Sequence, residues 1–209
     1  MDKKIKDVIE LLHKNDKGYR SNGNLHFLLY LVGLLITVLA IRAFVFEPIK
    51  VDGESMMNTL QNNERCIVEK VSYWFTEPKP GDIVIVHYPE RGSKTFVKRV
   101  IATAGQTVEI IADDEKGSAG VYRVYVDGEL LDESAYEDGL CFDPPVVSSI
   151  ITYGNRVCTV PEGSVFVLGD HRSNSHDSRY QEVGCIPLNM VIGRVRGVMY
   201  PVSNIRSVK

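Results

Sequence analysis

The chain has 209 residues, a formal net charge of -3 and 44% hydrophobic residues. That length holds one ordinary domain plus an anchor, and a charge so close to neutral gives no electrostatic case for nucleic-acid binding. Cys66, Cys141, Cys158 and Cys185 include no C-x-x-C pair, which argues against a zinc site built on cysteines. In an exported domain a disulfide is open to the pair closest in sequence, Cys141 with Cys158; four buried free thiols are the alternative.

Residues 2–15 predict a short amphipathic helix, with Ile5, Val8, Ile9, Leu11 and Leu12 on one face and lysines and acids on the other. Such a helix can lie along a membrane surface or stand in solvent. Residues 16–24 are polar and contain glycine, and read as a linker. Phe27 to Ile41 carries no charge and no proline. With Ala43 to Phe46 beyond Arg42 it reaches about 20 residues, enough for one membrane-spanning helix, placed at 25–46. Arg42 then sits near the outer end, where its stem reaches the head groups. A cleaved signal peptide fits poorly, because the leading polar segment is long and no A-x-A site follows the run. Lys3, Lys4, Lys6, Lys14, Lys17 and Arg20 precede it. The positive-inside rule therefore predicts residues 1–24 in the cytoplasm and 47–209 outside the cell membrane.

Beyond Glu47-Pro48 the pattern turns strand-like. Strands are predicted at 65–71, 83–88, 94–102, 107–111, 121–126, 129–131, 156–160, 164–168 and 190–200. Pro78-Lys79-Pro80-Gly81-Asp82 marks a turn, and Asp127-Gly128 marks a tight hairpin. Residues 132–150, with Pro144 and Pro145, read as irregular. Many short strands with turn signals indicate an all-β body.

Three stretches carry the chemistry. Val51-Asp52-Gly53-Glu54-Ser55-Met56-Met57-Asn58-Thr59-Leu60 offers a serine just beyond the apolar run. A serine hydroxyl needs a neighbour to take its proton before it can attack a carbonyl. Lys98, on a strand between Phe96 and Val100 on the same face, is a candidate for that base. Burial lowers the pKa of a lysine toward neutrality, where the amine can accept a proton. A lysine that snorkels from a sheet edge is the commoner outcome. The third stretch, Gly169 to Arg179, is dense in Asp, Arg, Asn and Ser, and predicts an internally bonded polar network. Asp170 can pair with Arg99 or Arg172, Asp177 with Arg179, and Ser175 can hold the amine of Lys98. Two other arrangements use the same loop. One is a Ser-His-Asp triad with His176 and Asp177, disfavoured because adjacent residues rarely orient one another. The other is a metal site from His87, His171, His176 and Asp177, whose spacing matches no strong motif.

Taken together, these boxes resemble type I signal peptidases, membrane-anchored serine-lysine proteases that remove signal peptides. The resemblance runs from about Leu34 to Pro201. It rests on the anchor, Arg42 with Phe44 to Glu47, Gly53-x-Ser55-Met56-x-x-Thr59-Leu60, Gly81-Asp82, Lys98-Arg99-Val100-Ile101 and Gly169-Asp170-x-Arg172-x-Asn174-Ser175-x-Asp177-Ser178-Arg179. The single anchor and short insert are similar to the Gram-positive form. The resemblance implies an antiparallel β-sheet catalytic domain with a small inserted subdomain at about 112–163. It implies Ser55 as nucleophile, Lys98 as general base and Ser175 as the lysine-orienting serine. Asp177 and Arg179 become a structural ion pair, and Val51, Met56, Leu60 and Val97 the walls of shallow apolar pockets. No cofactor or metal is implied. The implied partners are precursor proteins carrying signal peptides, and the lipid bilayer. Four positions depart from the pattern: Asn58 for a proline, Ala102 to Gln106 for a glycine- and proline-bearing turn, His171 for an asparagine, and Gly53 where some members have an oxyanion-binding serine. Two rival functions remain: a self-cleaving serine-lysine protease of the repressor type, and an anchored β-domain that binds partners without catalysis. The anchor argues against the first, and the presence of both Ser55 and Lys98 against the second.

Overall fold

A computed structural model describes residues 2–88, 94–112, 121–134, 141–142 and 157–208. It divides into two units, Met1–Val45 and Phe46–Lys209. In the first, helix α1 runs without a break over Asp2–Ala40. The linker expected at 16–24 is thus helical. No proline interrupts it, and each of its glycines weakens a helix by only about 1 kcal/mol. Within α1, Gly23–Ala40 has a mean hydropathy of 1.9 with none of the window buried. It is long and apolar enough to cross a membrane, at about 1.5 Å of rise per residue. A π-helical turn, Ile41–Val45, follows it.

The second unit is almost entirely β-structure. Its strands are β1 (Phe46–Lys50), β2 (Arg65–Glu69), β3 (Ile83–His87), β4 (Thr95–Thr103), β5 (Thr107–Ala112), β6 (Val121–Val126), β7 (Glu129–Leu130), β8 (Cys141–Phe142), β9 (Val157–Thr159), β10 (Ser164–Leu168), β11 (Ile186–Pro187), β12 (Val191–Tyr200) and β13 (Arg206–Ser207). One sheet has the order β1-β2-β12-β3-β4-β10-β11, with β13 beside β12, and the other β7-β6-β5-β9, with β8 beside β6. All described pairings are antiparallel. The fold is therefore the predicted all-β body preceded by one apolar helix.

Local chemistry explains the main elements. Pro48 lacks an N–H to donate, and it stands in β1 at the end of its sheet. Asp127 and Gly128 both take positive φ, 53° and 82°, the two-residue turn whose twist matches a hairpin. The second sheet begins at Thr107, a few residues before the expected insert, and its known strands end at Thr159. The irregular stretch 132–150 lies mostly outside the described residues.

Three apolar clusters hold the sheets. Ile101, Ala102, Phe166 and Leu168 of the first sheet meet Val108, Ile110, Val124 and Cys158 of the second. Val51, Met56 and Leu60 pack on Cys66, Val68, Ile83, Ile85, Val195 and Val198. Val84, Val86, Tyr88, Val100, Val165 and Val167 form the third. The second cluster matters most for the site, because it anchors both ends of the segment that carries Ser55.

The strand order argues against the Cys141–Cys158 pairing that the sequence left open. β8 and β9 flank opposite sides of the β6–β5 pair. Three strand spacings of about 4.8 Å separate them, well beyond the roughly 7 Å Cα limit for a disulfide. Proximity in sequence is no guide here, because β8 and β9 lie on opposite flanks of the sheet.

Candidate active site

Ser55 lies in a turn that leaves β1 and returns to β2. The Met57 amide donates to the Glu54 carbonyl, and the Thr59 and Leu60 amides donate to the Met56 carbonyl. Asn58 closes this turn at φ 77°. Proline, fixed near -65°, cannot adopt that angle, whereas asparagine tolerates it better than most residues. Asparagine in place of the proline of the family pattern is therefore compatible with this left-handed position. The base of the loop is closed by Val51 N–H to the Glu64 carbonyl at 2.8 Å and Asn63 N–H to the Val51 carbonyl at 2.9 Å.

Lys98 occupies β4 opposite Val84 of β3 and is only 2% exposed. Its Nζ donates to Ser55 Oγ at 2.6 Å. Burial lowers its pKa from the ordinary 10.5 to about 8. The carboxylates of Asp177 and Asp170 oppose that shift, and the Arg179 guanidinium adds to it. The sequence placed a lysine where its charge is hard to solvate, and the fold leaves that charge a hydroxyl as its hydrogen-bond acceptor.

The polar loop surrounds this pair. Burial alone would raise the Asp177 carboxyl, but the Arg179 charge and hydrogen bonds, the Ser175 hydroxyl and the Gly169 amide hold it below its ordinary range. Arg179 Nε donates to Asp177 Oδ1 at 2.8 Å, Arg179 Nη2 to Oδ2 at 3.0 Å, and the Gly169 amide to Oδ2 at 3.0 Å. Asp170 accepts from Arg99 Nε and Nη2, both at 2.8 Å, and from the Thr59 hydroxyl. Of the two partners open to Asp170, the structure selects Arg99. Arg172 instead pairs with Glu133 and donates to the Gly169 carbonyl.

Ser175 is buried, yet its Oγ has no well-formed hydrogen bond, to Lys98 or to any other group among the described residues. Its hydroxyl adds to the field that lowers Asp177 without meeting hydrogen-bond geometry. It lies beside the pair all the same. A methyl group on Gly169 would collide with both Ser175 Oγ and the Ser55 carbonyl, so only glycine permits the polar loop to close on the serine turn.

The remaining predicted residues divide clearly. A cleft of about 470 Å³ opens beside Ser55, with Ile49, Val51, Met56, Phe96 and Val97 in its lining. Leu60 does not reach it, being wholly buried behind Met56 in the same apolar cluster. Met56 is itself 1% exposed, a core side chain whose edge borders the cleft. The histidines are directed elsewhere. His176 Nε2 lies 3.3 Å from Glu182 Oε1, and its ring packs on Tyr180. His171 Nδ1 lies 3.1 Å from the Glu54 carbonyl. Asp177 is engaged by Arg179, so neither the triad nor the histidine-rich metal arrangement is assembled. Among the described residues no cluster of three His, Cys, Asp or Glu side chains converges.

Several supporting contacts were not assigned from the sequence. The His171 amide donates to the Ser55 carbonyl at 3.0 Å, and Asn174 Nδ2 to Glu54 Oε2 at 3.1 Å. From the far end of the chain, Arg206 grips Glu64 through two nitrogens, each at 2.8 Å, and the Thr59 carbonyl at 2.7 Å. Thr59 stood inside the serine motif, which hinted at a role. Nothing marked Arg206.

The structure thus holds the Ser55 hydroxyl on a buried amine of lowered pKa at the rim of a cleft. The signal peptidase family, peptidase S26, matches residues 24–200, and the chain belongs to that family. Probable signal peptidase I-1 of Synechocystis is 38% identical over 176 residues, covering 81% of this chain and 79% of that protein. Signal peptidase I of Bacillus licheniformis is 35% identical over 172 residues, covering 82% and 86%. A crystal structure of a signal peptidase I from Enterococcus faecalis is 30% identical, with a TM-score of 0.39, covering 57% of this chain and 97% of that one. The protein is thus a peptidase of the signal peptidase family, and its substrates are precursors that carry signal peptides.

Proposed function

We propose that this chain is a membrane-anchored serine-lysine endopeptidase that cleaves signal peptides from exported precursors at the outer face of the cell membrane. The observation that carries the proposal is the 2.6 Å contact between Lys98 Nζ and Ser55 Oγ, made by a lysine whose pKa lies at about 8. Once the amine is neutral it accepts the Ser55 proton, and Ser55 Oγ attacks the scissile carbonyl. The backbone N–H of Ser55 supports the developing oxyanion, a task that falls more heavily on it because Gly53 offers no hydroxyl. The amine then returns its proton to the leaving nitrogen. A water activated by the same lysine hydrolyses the acyl-enzyme. The buried, unpaired hydroxyl of Ser175 is assigned to steady the amine. Asp177 and Arg179 fix the loop and tune the charge around it. This scheme uses no cofactor.

The strand edges beside the cleft support an extended substrate. β1 ends its sheet, and β10 pairs β4 only from Arg99 to Thr103. The stretch Thr95 to Lys98 therefore has an edge that β10 leaves uncovered, and an extended peptide can add along such edges. Val51, Met56 and Val97 then form the pocket walls, with Leu60 as backing. The apolar helix supplies the anchor, and the lysine-rich residues before it favour a cytoplasmic N-terminus.

One comparison tests the proposal. Membranes bearing the parent chain, Ser55→Ala, Lys98→Ala, Lys98→Arg or His176→Ala are given a labelled precursor. The first three variants should be inactive, Lys98→Arg because a guanidinium stays protonated at any workable pH. His176→Ala should retain substantial activity. An active Lys98→Arg enzyme, or an inactive but folded His176→Ala enzyme, contradicts the mechanism. For the topology, protease added to sealed, wall-stripped cells should remove a tag placed after Lys209 and spare one placed before Met1.

A further inference from the structure

Cys158 lies on β9 of the second sheet, whereas Cys185 stands one residue before β11 of the first. Their sulfurs are 3.7 Å apart. Cys158 belongs to the apolar cluster shared by the two sheets, and Cys185 packs against that cluster. Cys66 is buried in a different cluster, where burial raises its pKa to about 11. Cys141 sits on β8, on the opposite flank of the second sheet.

We propose that Cys158 and Cys185 are a disulfide site that ties the two sheets together. The sulfurs need to approach by only about 1.7 Å to reach bonding distance. The two residues are 27 positions apart, and the enclosed chain contains β10 and the whole polar loop from Gly169 to Arg179. The bond would thus join both roots of the segment that holds Asp170, Ser175 and Asp177 around Lys98. The proposal rests on the reading that this domain lies outside the membrane, where disulfides persist. The oxidant is a disulfide-bearing compound or protein. One thiolate attacks its disulfide and releases the first thiol, the second attacks the mixed disulfide and releases the other, and the oxidant is left as two thiols. The two cysteines lose two protons and two electrons in all, and one S–S bond forms as one breaks.

The test uses the purified full chain in detergent, incubated with oxidised glutathione or with a phosphine reductant, then denatured, alkylated and peptide-mapped. The expected result is a linked peptide pair containing Cys158 and Cys185 after oxidation, with Cys66 and Cys141 alkylated. The oxidised chain should melt roughly 5–10 °C above the reduced one, as closing a loop of this size predicts. Cys158→Ser and Cys185→Ser should each lose the linked peptide and the redox dependence of melting. Alkylation of both thiols after oxidation, a bond that instead uses Cys141, or a bond that lowers the melting point would overturn the proposal. These readouts use neither peptide cleavage nor membrane sidedness, so such a failure would leave the proposed function standing.

Discussion

Replacing Lys98 with methionine should stabilise the fold while abolishing activity. The pKa of Lys98 falls from 10.5 to about 8 on folding, and at about 1.4 kcal/mol per unit that shift corresponds to about 3 kcal/mol against the folded state. The sign follows from proton binding. The unfolded chain holds the lysine proton up to higher pH than the native one. The penalty is therefore complete below about pH 8, shrinks as pH rises, and is gone above about 10.5. Methionine fills a similar volume with no charge. It leaves Ser55 Oγ without its donor, which costs about 1 kcal/mol. A net gain of about 2 kcal/mol remains, or roughly 5 °C in melting temperature at pH 7. The assay is thermal unfolding of parent and Lys98→Met proteins in detergent at pH 7 and near 10.5. The gap should be present at the lower pH and absent or reversed at the higher. A less stable variant at pH 7, or a gap that ignores pH, would refute the claim that Lys98 is held in a desolvated, pKa-lowering site.

Other outcomes follow from the same geometry. Asp177→Ala should destabilise by about 3–5 kcal/mol, because it leaves the buried Arg179 unpaired; unchanged thermal stability with full loss of activity would instead assign Asp177 a direct chemical part. Gly169→Ala should lower kcat by about 100-fold, the loss expected when a reacting group moves by an ångström, since the added methyl strikes the Ser55 carbonyl; single-turnover cleavage measures it. Asn58→Pro should destabilise by more than about 1 kcal/mol because proline cannot hold φ 77°. Asn58→Gly should be tolerated, and parallel denaturant melts of the two compare them.

Much of this was legible in the sequence because it is local. Period-two alternation found the longer strands, and Asp127-Gly128 specified its hairpin through the φ values those residues favour. Lys98 stood out because an ammonium between Phe96 and Val100 demands an explanation. The parts that stayed hidden are long-range or arise from competing local forces. β8, β11 and β13 are two residues each, too short to show any period. Residues 16–24 look like a linker by composition, yet neighbouring helical turns carry the helix through them. Arg206 joins Glu64 across 142 positions, and Cys158 meets Cys185 only because two sheets share one core. Leu60 was placed by its position in the motif, but the left-handed residue Asn58 and the turn around it direct that side chain inward.

The central claim is that Lys98, and no histidine, takes the proton of Ser55. Its most direct test is the pH dependence of kcat/KM for precursor cleavage by the full-length enzyme. The free amine is the active form, so the rate should rise with pH through the lowered lysine pKa of about 8 and level off above it. In Asp177→Asn the same limb should move to lower pH, because the carboxylate that favours the charged amine is gone. A limb near 6.5, the ordinary value for histidine, that stays in place in Asp177→Asn would contradict the account.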